Sequence, residues 1–312
     1  TDVLEREQAD VLIADDEFDT VVEAAAQRLP ELRRIRAWTE YESSQGVTVN
    51  GLIGANRGAR PARPDRAGRI VLLTSGTTGT PKGARRGGST DVASLAAMLD
   101  RIPWRAGDTV QLTASIFHTW GWSALQVALA TRSTIVTRRV FDAQACLQQI
   151  ETYRCDGLIS SPIFFKQMLD LDEGYDTSSL RYLASAGNAV TPSLLRRTTE
   201  RFGPILANIY GSTELALAAA ASPAQMQADP TTVGKVPPGT VLKLYDDHGR
   251  EVPTGQTGRI FLHNETALRG YTNPDTEIVE IDGLVEIGDL GYFDDEGFCD
   301  FLELILTRGG RL

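Results

Sequence analysis

Cysteine, histidine and methionine are scarce in this chain of 312 residues, which contains three of each. The cysteines are Cys146, Cys155 and Cys299, and no two of them form a Cys-x-x-Cys pair. This spacing indicates neither a structural zinc site nor a disulfide framework, and it favours reduced thiols in a cytoplasmic protein. The histidines are too few and too scattered for a histidine-based metal site.

The chain also lacks a long apolar run and an excess of basic residues. No apolar segment approaches the roughly 20 residues of a membrane span, and we expect no signal peptide, so membrane contact is peripheral at most. The formal net charge of −10 argues against a nucleic-acid partner, because a phosphate backbone requires a basic face. The first residue is Thr1 rather than Met, and the last residues are Gly310, Arg311 and Leu312. We therefore expect a piece of a longer protein, truncated at both ends.

Residues 74–83 read Thr-Ser-Gly-Thr-Thr-Gly-Thr-Pro-Lys-Gly and form the most informative segment. They follow an apolar run at 70–73 that predicts a short buried strand. The glycines let the backbone approach a ligand, hydroxyl and N–H groups can donate to phosphate oxygens, and Lys82 adds a positive charge. The Walker pattern G-x-x-x-x-G-K-[ST] cannot be laid over this segment. A polar surface turn is the alternative, but the strand and the Pro-Lys-Gly exit favour a nucleotide or pyrophosphate site. The candidate ligands are Thr74, Ser75, Gly76, Thr77, Thr78, Gly79 and Lys82.

Strand and helix patterns alternate between residues 90 and 210. Runs typical of strands lie at 110–113, 134–137, 157–160, 180–185 and 205–210, with helical patterns at 90–101, 121–131, 142–153, 162–171 and 192–202. Asp142 and Thr191 are the predicted N-caps of two of these helices. This βαβ spacing predicts an α/β fold with doubly wound parallel sheets in two α/β subdomains.

From about residue 224 the pattern changes to short alternating runs between glycines and prolines. Such runs lie at 241–245, 258–262 and 284–287. They predict a small, β-rich, barrel-like subdomain. We therefore expect an α/β subdomain with the phosphate loop over 1–115, a second α/β subdomain over 116–223 and the β-rich subdomain over 224–312.

Four further motifs lie near predicted strand ends, where α/β sheets usually bind ligands. Residues 210–214, Tyr-Gly-Ser-Thr-Glu, offer a ring for stacking, hydroxyls for phosphate and a carboxylate for Mg²⁺. Residues 185–189 are small enough for a flat ring to lie against backbone, and Asp289, between glycines, can accept two ribose hydroxyls. Residues 117–122 combine His118 with aromatic side chains and form either core packing or the wall of an acyl pocket. Taken alone, residues 210–214, residues 185–189 and the segment around Asp289 are each also typical of an ordinary turn.

The order and spacing of these motifs together resemble the adenylate-forming superfamily, which contains acyl-CoA synthetases, amino-acid adenylation domains and luciferases. Residues 74–83 resemble its phosphate loop, 210–214 its Y-G-x-T-E motif and 117–118 the F-H of its acyl-pocket motif. Residues 288–291 resemble its ribose-binding T-G-D-x-G motif, with Ile287 where Thr is usual. The resemblance covers nearly the whole chain and is greatest to fatty acyl-CoA synthetases.

This resemblance implies ATP-dependent activation of a carboxylic acid to acyl-AMP, followed by thioester formation with coenzyme A. Lys82, Thr213 and Glu214 would be catalytic, and Glu214 would bind Mg²⁺. The second subdomain would carry an acyl pocket containing His118, Trp120 and Gly121, together with the adenine site. The residues implied to bind ATP or AMP, besides the phosphate loop, are Gly187, Asn188, Ala189, Tyr210, Gly211, Ser212, Thr213 and Asp289.

The substrate class follows from His118. Amino-acid-activating relatives place an Asp there to pair with the substrate ammonium, which an imidazole would not hold, so a fatty or other amine-free acid is predicted. Two alternatives stay open: a fatty acyl-AMP ligase that delivers to an acyl carrier protein, and a non-catalytic nucleotide- or acyl-binding fragment. The oligomeric state is open as well.

The C-terminal end departs from the family pattern. The Gly-Arg hinge expected after Phe298 does not occur, although residues 304–310 resemble what should follow it. Either the hinge has been lost or a few residues near Leu302 are missing from the sequence, and the pattern favours the second. From the resemblance we expect the family's mobile C-terminal domain, which carries a catalytic lysine, to lie outside this sequence. We therefore predict weak adenylation and no thioester formation by this chain alone.

Overall fold

The computed structural model describes residues 2–39, 46–65, 71–74, 82–86, 92–171, 174–211, 217–264, 268–271 and 279–294. The chain divides into two compact units. One comprises Thr1–Gly83 with Tyr271–Asp275, and the other comprises Ala84–Gly270 with Thr276–Leu312. The predicted subdomain bounds at 1–115, 116–223 and 224–312 stay a prediction.

The first unit begins with a small α/β arrangement. Its elements are α1 (Asp2–Arg6), β1 (Val11–Ala14), a 3-10 turn (Asp16–Phe18), α2 (Asp19–Arg28), β2 (Arg33–Arg36), α3 (Val49–Ala55) and β3 (Val71–Thr74). β1 and β2 pair in parallel. Arg34 and Arg36 of β2 bind Glu23 and Asp19 of α2, each at 2.7 Å between nitrogen and oxygen. β2, which carries three arginines, was not predicted from the sequence.

A six-stranded sheet with helices on both sides dominates the second unit. Its elements are α4 (Val92–Arg101), β5 (Thr109–Leu112), α5 (Thr119–Ala130), β6 (Thr134–Val136), α6 (Ala143–Tyr153), β7 (Gly157–Ser160), α7 (Pro162–Leu169), β8 (Tyr182–Ser185), α8 (Pro192–Phe202), β9 (Leu206–Tyr210), β10 (Ala219–Ala221) and α9 (Pro223–Ala228). The strand order is β10-β9-β8-β7-β5-β6, parallel throughout except for β10. The predicted doubly wound α/β fold is confirmed.

Alternate residues of each strand pack into two different cores, as expected for a sheet covered on both faces. Ile159, Ala184 and Ala207 pack with residues of α4 and α5. Their neighbours Leu158, Leu183 and Leu206 pack with residues of α6, α7 and α8. The near-continuous apolar strands that the sequence showed are therefore a consequence of two-sided burial.

The remaining described strands are β4 (Lys82–Arg86), β11 (Val241–Tyr245), β12 (Gly258–His263), β13 (Leu268–Tyr271), β14 (Glu280–Ile281) and β15 (Leu284–Gly291). Together with β3 they form two smaller sheets. One is antiparallel with the order β11-β12-β15-β14, in agreement with the predicted β-rich part. The other has the order β13-β4-β3. Asp142 and Thr191 cap α6 and α8 as predicted, since their side chains accept hydrogen bonds from the N–H groups of Ala145 and Leu194.

Candidate functional site

Two of the predicted nucleotide-binding segments lie side by side at the carboxyl edge of the six-stranded sheet. Strands β8 and β9 are parallel neighbours, with Ser185 opposite Asn208. Exposed residues Gly187, Asn188 and Ala189 follow β8, and Tyr210 ends β9. Since ligands of open α/β sheets bind at this edge, the fold places both segments where a nucleotide can reach them.

Gly187 requires the conformational freedom of glycine. Its φ is +96°, in a region that side chains other than glycine disfavour. A Cβ added at Gly187 would meet no atom within 4 Å, so the space beside its backbone is open. The turn therefore presents bare backbone at the same sheet edge as Tyr210, as a slot for a flat ring requires.

Tyr210 and Asp289 are 79 positions apart in sequence and are joined by a hydrogen bond. The phenol hydroxyl donates to Oδ2 of Asp289 at 2.6 Å between the two oxygens. Burial is the main cause that raises the pKa of Tyr210, and the negative charge of Asp289 raises it further. The hydroxyl therefore keeps its proton at physiological pH, and the fold brings a predicted stacking residue to the predicted ribose ligand.

Asp289 lies at an irregularity of β15. Phe261 of β12 pairs with Glu286, and Arg259 pairs with Leu290, so residues 287–289 of β15 lie opposite Ile260 alone. Gly288, within this bulge, has a φ of +86°. A bulge changes the direction in which the side chains of a strand point, and bulges are common beside active sites. Here the irregular backbone directly precedes the carboxylate that contacts Tyr210.

Two polar residues lie beneath this edge: Asn208, which sequence reasoning missed, and Ser185, which begins the predicted segment 185–189. Both are buried, and neither Oγ of Ser185 nor Oδ1 of Asn208 has a hydrogen-bond partner in the described part of the structure. An unpaired buried acceptor costs roughly 1–3 kcal/mol, so such atoms at a ligand-binding edge indicate a ligand group or an ordered water. The signal in the sequence was an asparagine inside the apolar run 205–210, two residues before Tyr210.

The predicted acyl-pocket residues have different surroundings. His118 is exposed, and its Nδ1 accepts a hydrogen bond of 3.4 Å from the N–H of Trp120, which caps α5. Trp120 is buried and donates its indole N–H to the carbonyl oxygen of Ser160 at 2.8 Å. A Cβ on Gly121 would lie 2.1 Å from the carbonyl oxygen of Ser115, so Gly121 permits close backbone packing. Phe117 has the exposed apolar surface here, with 82% of its area accessible.

The phosphate-loop residues are described only at their ends. Thr74 ends β3 and Lys82 begins β4, which is the neighbouring strand, so the intervening residues connect two adjacent strands. Gly211 is described and exposed. The remaining predicted ligands of the phosphate loop and of residues 210–214 lie outside the described residues; they are Ser75, Gly76, Thr77, Thr78, Gly79, Ser212, Thr213 and Glu214.

Neither a metal cluster nor a membrane span is found among the described residues. No group of three or more His, Cys, Asp or Glu side chains in them is arranged to hold a metal ion. Glu214, the predicted Mg²⁺ ligand, lies outside this set. None of the described helices combines the length and apolar character that crossing a bilayer requires.

Comparison with known proteins agrees with the motifs. The family model described as "AMP-binding enzyme" matches residues 1–272. Indoleacetate–CoA ligase from Aromatoleum aromaticum is 29% identical over 303 residues, which are 92% of this chain and 58% of that protein. Fatty acid–[acyl-carrier-protein] ligase ScoC from Streptomyces coeruleorubidus is 31% identical over 245 residues, which are 73% of this chain and 46% of that protein. The chain thus spans about half the length of the relatives it matches.

Among solved structures, ATP-bound MatB from Rhodopseudomonas palustris is similar, with a TM-score of 0.81. The match covers 98% of this chain and 60% of that one. The two sequences are 23% identical, so this likeness concerns the fold alone. It agrees with the parallel sheet and the antiparallel sheet described above.

Proposed function

Because the chain belongs to the AMP-binding enzyme family, we propose that it carries the nucleotide and acid sites of an acid–CoA ligase. The whole protein would use ATP to convert a carboxylic acid into an acyl-adenylate and then into a coenzyme A thioester. The observation that carries this proposal is the contact between Tyr210 and Asp289, at the same sheet edge as the bare backbone of Gly187. Residues of two separate motifs, each predicted to bind one part of a nucleotide, meet at one sheet edge.

The nucleotide roles follow from the chemistry of these groups. The Tyr210 ring would stack on adenine, the backbone of 187–189 would line the opposite side, and Asp289 would accept the ribose hydroxyls. We assign the unpaired Oδ1 of Asn208 to a hydrogen-bond donor on the base, since it is a buried acceptor in β9, two residues before Tyr210. Gly211 and Ser212 would continue this wall toward the phosphates.

The proposed reaction depends mainly on positioning and charge. A substrate carboxylate oxygen attacks the α-phosphorus of ATP, and pyrophosphate leaves in line with it. The carboxylate is already ionised, so this step needs no general base. Thr213 would contact the α-phosphate, while Lys82 and the loop hydroxyls would hold the β- and γ-phosphates. Glu214 is the proposed ligand of Mg²⁺, which supplies neutralisation of phosphate charge when bound. A thiol then attacks the acyl carbon, and AMP leaves.

The proposed substrate is an apolar, amine-free acid, with a fatty acid as the first candidate. His118 occupies the position where a carboxylate would be required for an ammonium group. The segments that follow β5, β6 and β7, which are neighbouring strands, carry exposed apolar side chains near the same carboxyl edge, in loops after β5 and β6 and in the first turn of α7 after β7. These are Ile116, Phe117, Val140 and Ile163. Such a surface suits a hydrocarbon or aryl acid and offers little to a charged amino acid.

The whole protein tests the substrate class. ATP–pyrophosphate exchange is measured with dodecanoate, indoleacetate and phenylalanine at equal concentrations. We expect exchange with dodecanoate or indoleacetate and none above background with phenylalanine, and the better acid defines the substrate class. Exchange with phenylalanine alone would overturn the proposed class.

A carrier-protein ligase is the second candidate, favoured by the 31% identity to ScoC. The two functions differ in the acceptor thiol. Acyl transfer from the preformed adenylate to free coenzyme A, compared with transfer to a phosphopantetheinylated carrier protein, distinguishes them. Transfer to coenzyme A supports the first function, and transfer to the carrier alone supports the second.

A further inference from the structure

We propose that the Tyr210 hydroxyl positions the carboxylate of Asp289 for the ribose hydroxyls, a role that rests on the proposed nucleotide site. Tyr210 would then contribute twice, through its ring as a stacking surface and through its hydroxyl as a positioning group. The second contribution acts through Asp289 and requires no contact between the Tyr210 hydroxyl and the nucleotide.

The backbone around Asp289 explains why its carboxylate needs an orienting partner. Asp289 sits at the bulge of β15, directly after Gly288, where the regular pairing with β12 is interrupted. Its side chain is half-buried, so packing restricts it less than it would restrict a core residue. A carboxylate that must accept from two neighbouring ribose hydroxyls works only in a narrow range of orientations. A hydrogen bond of 2.6 Å to an ionised acceptor is short and supplies that restriction.

Tyr210 itself is held firmly. Its backbone lies in the sheet, because its carbonyl oxygen accepts from the N–H of Ala218 at 2.9 Å and it pairs with Ala219 of β10. Its ring is half-buried against the apolar cluster of Ala218 and Leu262. The raised pKa keeps the hydroxyl a donor. The six-stranded sheet therefore holds the phenol in place, and the hydrogen bond from the phenol restricts the orientation of the Asp289 carboxylate on the antiparallel sheet.

A Tyr210→Phe variant separates the two contributions, because it keeps the ring and removes only the hydroxyl. The measurement is equilibrium binding of AMP, 2′-deoxy-AMP and 3′-deoxy-AMP by titration calorimetry on the 312-residue chain. In the wild type we expect each missing ribose hydroxyl to weaken binding about tenfold, the usual worth of a charge-assisted hydrogen bond. In Tyr210→Phe we expect AMP to bind roughly five- to tenfold more weakly and the penalty for each deoxy analogue to fall to about twofold.

The matched control is Tyr245→Phe. Tyr245 also donates its hydroxyl to an aspartate, Asp282, at 3.1 Å between the oxygens, and neither residue belongs to a predicted nucleotide motif. The variant thus removes the same atoms from the same kind of pair. We expect Tyr245→Phe to leave AMP affinity and the deoxy penalties unchanged, whereas a general loss of stability would change them. In the double variant Tyr210→Phe/Asp289→Asn, the Tyr210 change should add nothing to the effect of Asp289→Asn.

The outcomes are distinct. Failure of the wild type to bind AMP would overturn the proposed nucleotide site. If the wild type discriminates against deoxy analogues and Tyr210→Phe discriminates equally well, only the positioning role is overturned. Tighter AMP binding by Tyr210→Phe would also overturn it, because the hydroxyl would then compete with ribose for Asp289.

Discussion

Arg181 connects the amino-terminal ends of three neighbouring strands, and its replacement by Met should destabilise the second unit. It precedes β8, and its guanidinium binds Asp108, just before β5, and Asp156, just before β7. The side chain of Asp108 is only 8% exposed, whereas those of Arg181 and Asp156 are 32% and 34% exposed. The perturbation thus leaves one nearly buried carboxylate without its cation.

The expected magnitude lies between two limits. Removing one partner of a fully buried ion pair costs about 3–5 kcal/mol, and losing an exposed pair costs roughly 0–1 kcal/mol. Asp108 keeps a hydrogen bond from the N–H of Arg105 at 2.8 Å, and water reaches part of the guanidinium. The free-energy cost given for a fully buried pair is therefore too high for this cluster. The Arg181 guanidinium also lies over the Tyr182 ring, with its carbon 5.8 Å from the ring centroid, and Met removes this contact as well. We therefore expect a loss of about 2 kcal/mol in the free energy of unfolding.

Urea unfolding followed by tryptophan fluorescence measures this loss. Trp104 is a suitable reporter, because its ring stacks on Tyr182 with 5.9 Å between centroids, next to Arg181. The midpoint should fall at an unchanged slope. Lys243→Met is the matched control, since Lys243 pairs with Glu251 at 2.7 Å on an exposed surface, and its midpoint should not move. A loss below about 0.5 kcal/mol for Arg181→Met would refute this account of the cluster.

Two further predictions concern thiols and backbone. Burial raises the pKa of Cys146 to about 12 and that of Cys155 to about 11, so iodoacetamide at pH 8 should label both only as the protein unfolds, which mass spectrometry across a urea series checks. Rapid labelling without urea would contradict the burial. Both folded-state pKa values exceed the ordinary 9.0, so the free energy of unfolding should be unaffected by these thiols below pH 9 and should fall as pH rises toward 11–12. Gly187→Ala should cost about 1 kcal/mol from its positive φ alone, and should weaken AMP binding further by adding a methyl group to the ring slot. Unchanged AMP affinity would exclude Gly187 from the slot.

The sequence predicted elements well where burial and capping dominate. The bounds of β7 and α8 match their patterns, because β7 is buried on both faces and α8 begins with the Thr191 cap followed by Pro192. β2 was missed because three of its four residues are arginines, and the charges of Arg34 and Arg36 are balanced by carboxylates on α2 rather than by their neighbours in sequence. β10 was missed because its three alanines carry no strand signal.

The site was predictable residue by residue and not as an arrangement. Motifs identified Tyr210 and Asp289 separately, but their contact depends on the bulge of β15 and on how two sheets pack, which no local pattern specifies. Gly121 was expected at an acyl pocket, whereas its position against the Ser115 backbone depends on the path of the preceding loop. Asn208 was overlooked because a single polar residue inside an apolar strand shows its significance only once it is known to be unpaired.

Titration of the chain with a stable dodecyl-AMP analogue, beside an aminoacyl-AMP analogue, tests most directly the claim that this edge is an adenylate site. We predict saturable binding of the dodecyl analogue, weakened about tenfold or more by Asp289→Asn, and much weaker binding of the aminoacyl analogue. Failure of the dodecyl analogue to bind, or binding indifferent to Asp289→Asn, would contradict the claim.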